Sequence, residues 1–187
     1  MSVLYRRLGY MLTPQLTIYQ NMKDIAKDKF VLEIGSGTGF GVVQYAGVAK
    51  QVTAIDIDRD AIAFSKWALP LNNVDWEVGD ICCENLGRYD LIVMIEVIEH
   101  IPNWQHALDS IKNLLIPGGT LIISTPNANG TFIKNELHGD EWTANEFYQR
   151  LNGYFGVVQL YDFTLKNKQT TSTKQTPLVA VCCDKEA

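Results

Sequence analysis

Long apolar runs are missing from this chain, and no stretch is long and apolar enough to span a membrane. Arg6-Arg7 near the start are not followed by a continuous apolar segment, so no secretory signal is read. Cysteine is scarce and awkwardly placed, as two adjacent pairs, Cys82-Cys83 and Cys182-Cys183. Sequence neighbours rarely bridge one another, and neither C-x-x-C nor a Cys/His ligand spacing occurs. The expectation is reduced thiols in a cytoplasmic protein. An excess of positive charge is also absent: Lys and Arg number 16 against 21 Asp and Glu, for a formal net charge of −5. That balance argues against a broad nucleic-acid surface. There is no internal repeat, low-complexity tract or obvious linker.

What remains is an ordinary globular composition, 47% hydrophobic and 20% charged over 187 residues, enough for one domain with a proper core. Residues 1–187 are therefore read as one domain, with 1–29 a lead-in helix or lid and 30–187 the core. Thr13-Pro14 is a helix start, a capping hydroxyl before a proline in the first turn, and predicts a helix from Pro14 to about Ala26. Phe30 to Ile34 is a short apolar run that ends in glycines and suits a buried strand. A helix is expected from Gly39 to about Ala49, then a second buried strand over Val52–Asp56. Asp58 is placed to cap a helix on which Ala61, Phe64, Ala68 and Leu71 recur at helical spacing.

Further strands are expected at Val74–Val78, Asp90–Ile95 and Thr120–Ser124. Between the last two, Trp104, Ala107, Leu108, Ile111, Leu114 and Leu115 share one helical face, and Pro117-Gly118-Gly119 stops it. Thr143 to about Leu151 reads as a helix, and Val157–Leu165 and Pro177–Cys183 as two final strands around a polar loop. Alternating strands and helices predict an α/β fold: a doubly wound, mostly parallel seven-stranded sheet, Rossmann-like, in three αβα layers. Its last two strands should form an antiparallel hairpin at one edge. In such sheets ligands bind beyond the carboxyl ends of the strands.

Three successive strand ends carry suggestive residues. Glu33-Ile34-Gly35-Ser36-Gly37-Thr38-Gly39 joins the first strand to its helix, and glycines there let backbone approach a ligand closely. A dinucleotide fingerprint would need glycine or alanine at position 40, where Phe40 stands, which disfavours a nicotinamide cofactor. Asp56 ends the second strand, where a carboxylate can accept from both hydroxyls of a ribose or simply face water. Asp80, in Gly79-Asp80-Ile81 after the third, suits an adenine amine or an ordinary turn.

These segments resemble the successive motifs of class I S-adenosylmethionine (SAM)-dependent methyltransferases: V-L-E-I-G-S-G-T-G, A-I-D-I-D and G-D-I. The later runs Y-D-L-I-V-M-I-E-V-I-E-H-I-P-N and L-L-I-P-G-G-T-L-I-I-S-T-P-N resemble the branch of ubiquinone-type O-methyltransferases and small-molecule and glycan methyltransferases. The likeness extends over roughly Phe30 to Phe163. It implies SAM as cofactor and S-adenosylhomocysteine as product. It also implies that Glu33 faces the methionine amino group, that Gly35, Ser36, Gly37, Thr38 and Gly39 line the methionine and ribose, and that Asp56 binds the ribose hydroxyls. Ile57, Asp80 and Ile81 would frame the adenine, with Ile95 and Glu96 near the methionine end. The short span between the third and fourth strands implies that the helix usual there is reduced or missing.

Methyl transfer to oxygen needs alignment and a base. His100, just after the fourth strand, is the candidate base, because an unperturbed imidazole titrates near neutrality. Hydrogen bonding to loop backbone is the competing role. His138 lies in a second polar stretch, Asn135 to Trp142, resembling the segment that closes over the acceptor in glycan-type members, and is the second catalytic candidate. Trp142 faces either acceptor or loop packing. Tyr5, Tyr10 and Tyr19 line a lid or pack the lead-in helix, and His106 is a solvated helix residue.

Glu96, Glu99, His100 and His138 also resemble the metal-binding set of small-RNA 3′-end 2′-O-methyltransferases. E-V-I-E-H occurs in metal-free relatives too, so no metal is assigned. The expected partner is a small-molecule or glycan acceptor, without nucleic acid or membrane, and the alternatives are the RNA enzyme and a catalytically silent binding protein. The acceptor and the oligomeric state are not encoded legibly.

Overall fold

A computed structural model describes residues 13–83, 86–130 and 141–184. Among them seven strands build one sheet: β1 (Phe30–Ile34), β2 (Gln51–Asp56), β3 (Val74–Val78), β4 (Tyr89–Ile95), β5 (Leu115–Thr125), β6 (Val157–Tyr161) and β7 (Leu178–Cys183). Their order is β3-β2-β1-β4-β5-β7-β6. Strands β1 to β5 pair in parallel, while β7 runs antiparallel between β5 and β6. The expected terminal hairpin is thus present, with its second strand inserted against β5. The order reverses beside β1, between β1 and β4, so the carboxyl ends of these two strands form the switch point, the position at which open α/β sheets generally bind ligands.

Six helices among the described residues pack on the sheet: α1 (Thr13–Asn21), α2 (Lys23–Ala26), α3 (Val42–Tyr45), α4 (Arg59–Ala68), α5 (Trp104–Leu114) and α6 (Ala144–Asn152). Period-two alternation along the strands divides two cores. Leu32, Ile34, Ile92 and Met94 face α5 and α6, packing with Leu108, Ile111, Phe147 and Leu151. Val31, Leu91, Val93 and Ile95 face the other way, with Ile18, Met22, Tyr45 and Ile62. The three expected layers follow from this alternation.

Local chemistry fixes several ends. Asp58 caps α4 by accepting from the Asp60 and Ala61 amides. Asn103 caps α5, and Thr143 with Glu146 forms a reciprocal capping box on α6. The lead-in helix is not continuous, since it is interrupted at Met22, between α1 and α2. The helix expected over 39–49 contracts to one turn, α3, followed by three-residue turns such as Val48 N to Tyr45 O. Gly41 and Gly47 bracket it and make a longer helix unfavourable.

Pro117-Gly118-Gly119 does not directly end α5, which stops at Leu114; those residues lie within β5. There Tyr89 pairs with Leu115 and Leu91 with Thr120, so a bulge absorbs the intervening residues. Strand β6 ends at Tyr161, short of the expected Leu165, because Asp162 turns the chain by accepting from Thr164 and Asn167. Between β3 and β4 the described residues contain a turn at 81–83 and no helix, as the short span implies. No helix among the described residues is long and apolar enough to cross a membrane. The four cysteines are free, and burial pushes the Cys182 thiol far up.

Candidate active site

The turn after β1 is held from below. The Gly35 and Ser36 amides both donate to the Ile55 carbonyl, at 2.9 and 3.0 Å, tying the loop to β2. Gly35 has φ +73°, and a Cβ there would meet Val97 Cγ2 at 2.3 Å, so both conformation and space demand glycine. Gly37 has φ +54°, yet a Cβ on it would meet nothing within 4 Å among the described residues. Its backbone therefore borders open space, as a surface reserved for a ligand would. Ser36 Oγ is buried with no hydrogen-bond partner among the described residues, and Thr38 and Gly39 complete the buried wall. An orphaned buried hydroxyl beside an open glycine fits a polar ligand.

Asp56 is the pivot. Its Oδ2 accepts from the Gly37 amide at 2.7 Å and its Oδ1 from the Asp58 amide at 2.8 Å. Each carboxylate oxygen retains a second lone pair for a diol. Ile57, next to it, is 73% exposed, an apolar side chain presented above the strand end. Ile81 is buried in the core, whereas Asp80 is exposed and its Oδ1 caps the turn by accepting from the Cys82 amide at 2.9 Å. The structure thus brings Gly35–Gly39, Asp56, Ile57 and Asp80 to neighbouring strand ends, with Ile81 beneath them.

Glu33 is engaged from within the fold. Sharing the face of Val31, it points under α1 and α3, where it is buried. Tyr19 Oη donates to its Oε1 at 3.1 Å and Tyr45 Oη to its Oε2 at 2.5 Å. Burial pushes its carboxyl up to about 7, against the two phenol hydrogen bonds, which lower it. Tyr19 is thus a buried anchor of the lead-in helix, and Tyr5 and Tyr10 lie outside the described residues.

Two further acids lie past β4. Glu96, following the buried Ile95, has φ +56°, and it accepts from Ser124 Oγ at 2.7 Å and hydrogen-bonds the Gln15 side chain. Burial pushes it up to about 7. Glu99, in the 3-10 turn Ile98–His100, accepts from Thr125 Oγ1 at 3.2 Å. Burial first, then the neighbouring Glu96, pushes it up to about 8. His100 follows it, with its side chain 44% exposed. His138 lies outside the described residues. Among the described residues no group of three His, Cys, Asp or Glu is arranged to hold a metal ion.

Trp142 turns inward. It is buried, edge-on to Trp104 at 5.2 Å, and its face carries the Arg150 guanidinium at 4.6 Å. His106 is exposed on α5, as expected. Sequence reasoning does not reach Tyr45, Gln15, Ser124 and Thr125 as site residues. The polar pair ending the apolar run of β5 is a visible signal, but which carboxylates it meets depends on the β4–β5 register.

Comparisons with known proteins agree with this geometry. Residues 15–165 match the family described as Methyltransferase domain. Over 108 residues the chain is 34% identical to the ubiquinone biosynthesis O-methyltransferase of Glaesserella parasuis, covering 53% of this chain and 46% of that one. The enzyme of the same name from Coxiella burnetii is 27% identical over 159 residues, 83% of this chain and 68% of that one. The chain spans about half the length of the first curated relatives it matches. A TehB-like SAM-dependent methyltransferase from Corynebacterium glutamicum superposes with TM-score 0.72 at 20% identity, over 97% of this chain and 94% of that one. The N-methyltransferase NodS of Bradyrhizobium japonicum, with S-adenosylhomocysteine, gives 0.55 at 22% identity over 67% and 64%. The glycine turn, the Asp56 strand end, the sheet order and these likenesses agree, and the chain belongs to the class I SAM-dependent methyltransferase family.

Proposed function

We propose that this chain transfers a methyl group from SAM to a hydroxyl oxygen of a small-molecule or glycan acceptor. The observation that carries the reading is the open face of Gly37, whose amide is locked to Asp56 at the neighbouring strand end. In this reading Asp56 takes the ribose hydroxyls, and Gly35, Ser36, Gly37, Thr38 and Gly39 cradle the methionine and ribose. Ile57 covers the adenine and Asp80 accepts from its amine, with Ile81 as floor. Ile95 and Glu96 close the methionine end, and Glu33 acts on it from beneath. When bound, SAM supplies an electrophilic methyl on a positively charged sulfur, which leaves as a neutral thioether.

The chain's task is then alignment and proton removal. His100 takes the proton of the acceptor hydroxyl as the oxygen bonds the methyl carbon and the carbon–sulfur bond breaks. His138 is proposed to face the acceptor from the far side. The oxygen acceptor is supported by the O-methyltransferase relatives and by the exposed imidazole. The acidic balance and the four free thiols support a small polar acceptor met in the cytoplasm.

The test is methyl transfer from radiolabelled SAM into fractionated host-cell extract, with and without EDTA. EDTA-resistant label in a small-molecule or glycan fraction is expected. EDTA-sensitive label confined to small RNA would replace this reading by the metal-dependent RNA enzyme, and no label in any fraction would count against transfer activity.

A further inference from the structure

Gln15 presents an unused acceptor: its Oε1 is buried with no hydrogen-bond partner among the described residues, while its side chain hydrogen-bonds Glu96. Buried polar atoms are nearly always paired, so an orphan calls for a reason. The placement follows from helical spacing. Gln15 and Tyr19 stand one turn apart on α1 and share a face. Tyr19 Oη is fixed to Glu33 near the end of β1, so Gln15 reaches the neighbouring end of β4. Glu96 sits there in a left-handed conformation, φ +56°, its amide donating to the Ser124 carbonyl at 3.2 Å and to Ser124 Oγ at 3.1 Å. A non-glycine residue held in that region is strain of the kind that gathers at ligand sites. Val97, the next residue, leaves no room for a Cβ on Gly35, so Gln15 and Glu96 border the glycine turn.

We infer that Gln15 Oε1 accepts a hydrogen bond from the α-ammonium of SAM, which makes α1 part of the cofactor site. This rests on the reading that Asp56 takes the ribose hydroxyls and that the methionine lies over the ends of β1 and β4. From β2 to β4 is two strand spacings, about 10 Å, so a tail that leaves the ribose along the glycine turn ends beside Glu96. An ammonium carries three N–H donors, and it enters a buried place only where acceptors meet it. Glu33 lies beneath the turn, each of its oxygens already accepting from a phenol. Glu96 accepts Ser124 Oγ on one oxygen, and burial pushes its carboxyl up to about 7, so its charge is partial at neutral pH. An amide carbonyl accepts whatever the pH, and the bond between Gln15 and Glu96 orients this one in advance. A charged donor on that carbonyl makes the stronger kind of hydrogen bond. S-adenosylhomocysteine has the same ammonium, so the contact serves cofactor and product alike.

The test is calorimetric titration of the full chain with S-adenosylhomocysteine, with its analogue lacking the α-amino group, and with 5′-methylthioadenosine, which lacks the whole amino-acid end. Gln15→Met keeps the length and helix propensity of the side chain and removes the acceptor. It is expected to weaken S-adenosylhomocysteine binding about 10- to 100-fold, the effect of losing a hydrogen bond to a charged group. Affinity for the other two ligands should stay within about threefold, as for groups that share no contact. In the wild type, the Gln15 side-chain amide signals in NMR should shift more with S-adenosylhomocysteine than with the deaminated analogue, a reading that needs no substitution. Unchanged S-adenosylhomocysteine affinity in Gln15→Met would overturn the inference, as would equal amide shifts with the two ligands. Equal weakening of all three ligands would also overturn it, since that reports a change in the fold or at the adenosine end. A wild type that binds none of the three would sink the cofactor placement itself, whereas a variant that binds S-adenosylhomocysteine like the wild type sinks this contact alone.

Discussion

Tyr45 Oη lies 2.5 Å from Glu33 Oε2, joining α3 to the end of β1 inside the core. With Tyr19 on the other oxygen, the carboxyl of Glu33 is engaged by two phenols before any ligand arrives. The pair explains why the lead-in helix docks where it does: Tyr19 is an apolar ring with one polar end, and that end meets the buried carboxyl.

Removing one donor leaves a buried acceptor short. Tyr45→Phe should lower stability by about 1–3 kcal/mol. At about 2–4 °C per kcal/mol in a chain of this size, the loss is visible in a thermal melt. Tyr19→Phe should do the same and also loosen α1, read as faster amide exchange over Ile18 to Met22. An unchanged melt in both variants would contradict the assignment.

The acids also set a pH dependence. Burial raises Glu33 and Glu96 to about 7 and Glu99 to about 8, so the folded chain holds these protons more tightly than the unfolded chain does. Their contribution to stability is fully present below the unfolded carboxylate range and is lost as pH rises through about 7 to 8. The ligand-free protein should therefore melt lower at about pH 8 than at about pH 6, and Glu33→Gln should flatten the fall. A melt that rises over this interval would contradict the burial of the three carboxyls in protonated form.

Two glycines of one turn should answer differently to alanine. Gly35→Ala meets both a positive φ and the Val97 side chain, and should destabilise by about 2–4 kcal/mol. Gly37→Ala meets only the positive φ and should cost about 1–2 kcal/mol while weakening SAM binding disproportionately. The comparison is made by thermal melts beside calorimetric titration. Equal losses of affinity per kcal/mol of stability would remove the open face of Gly37 from the site.

Much of this is legible in the sequence, for identifiable reasons. β1 and β3 appear at their observed limits because a short apolar run bounded by turn residues has one solution in a parallel sheet. Asp56 and the glycine turn are legible because a strand end is fixed by its own sequence. Glu33 is harder: its position puts it at the strand end, but its surroundings depend on which helices cover the face it shares with Val31. Trp142 cannot be read at all, since whether an aromatic packs or faces a cleft is decided by Trp104 and Arg150, outside its own segment. The contact of Gln15 with Glu96 is likewise a product of tertiary packing, and E-V-I-E-H alone does not reveal it.

His100 bears the reactive half of the account. His100→Ala should lower turnover by about 10²–10⁴-fold, the usual contribution of a general base. Affinity for S-adenosylhomocysteine should be nearly unchanged, because the proposed reaction puts the imidazole on the acceptor side. Full turnover would refute the role, as would a loss confined to cofactor affinity.

The most direct measurement is calorimetric titration of SAM and S-adenosylhomocysteine into the wild-type chain and Asp56→Ala. The account predicts saturable binding of both by the wild type, weakened by about 10- to 100-fold in the variant, as expected when hydrogen bonds to a charged group worth about 1.5–3 kcal/mol are lost. A wild type that binds neither molecule, or a variant that binds them as tightly, would contradict it.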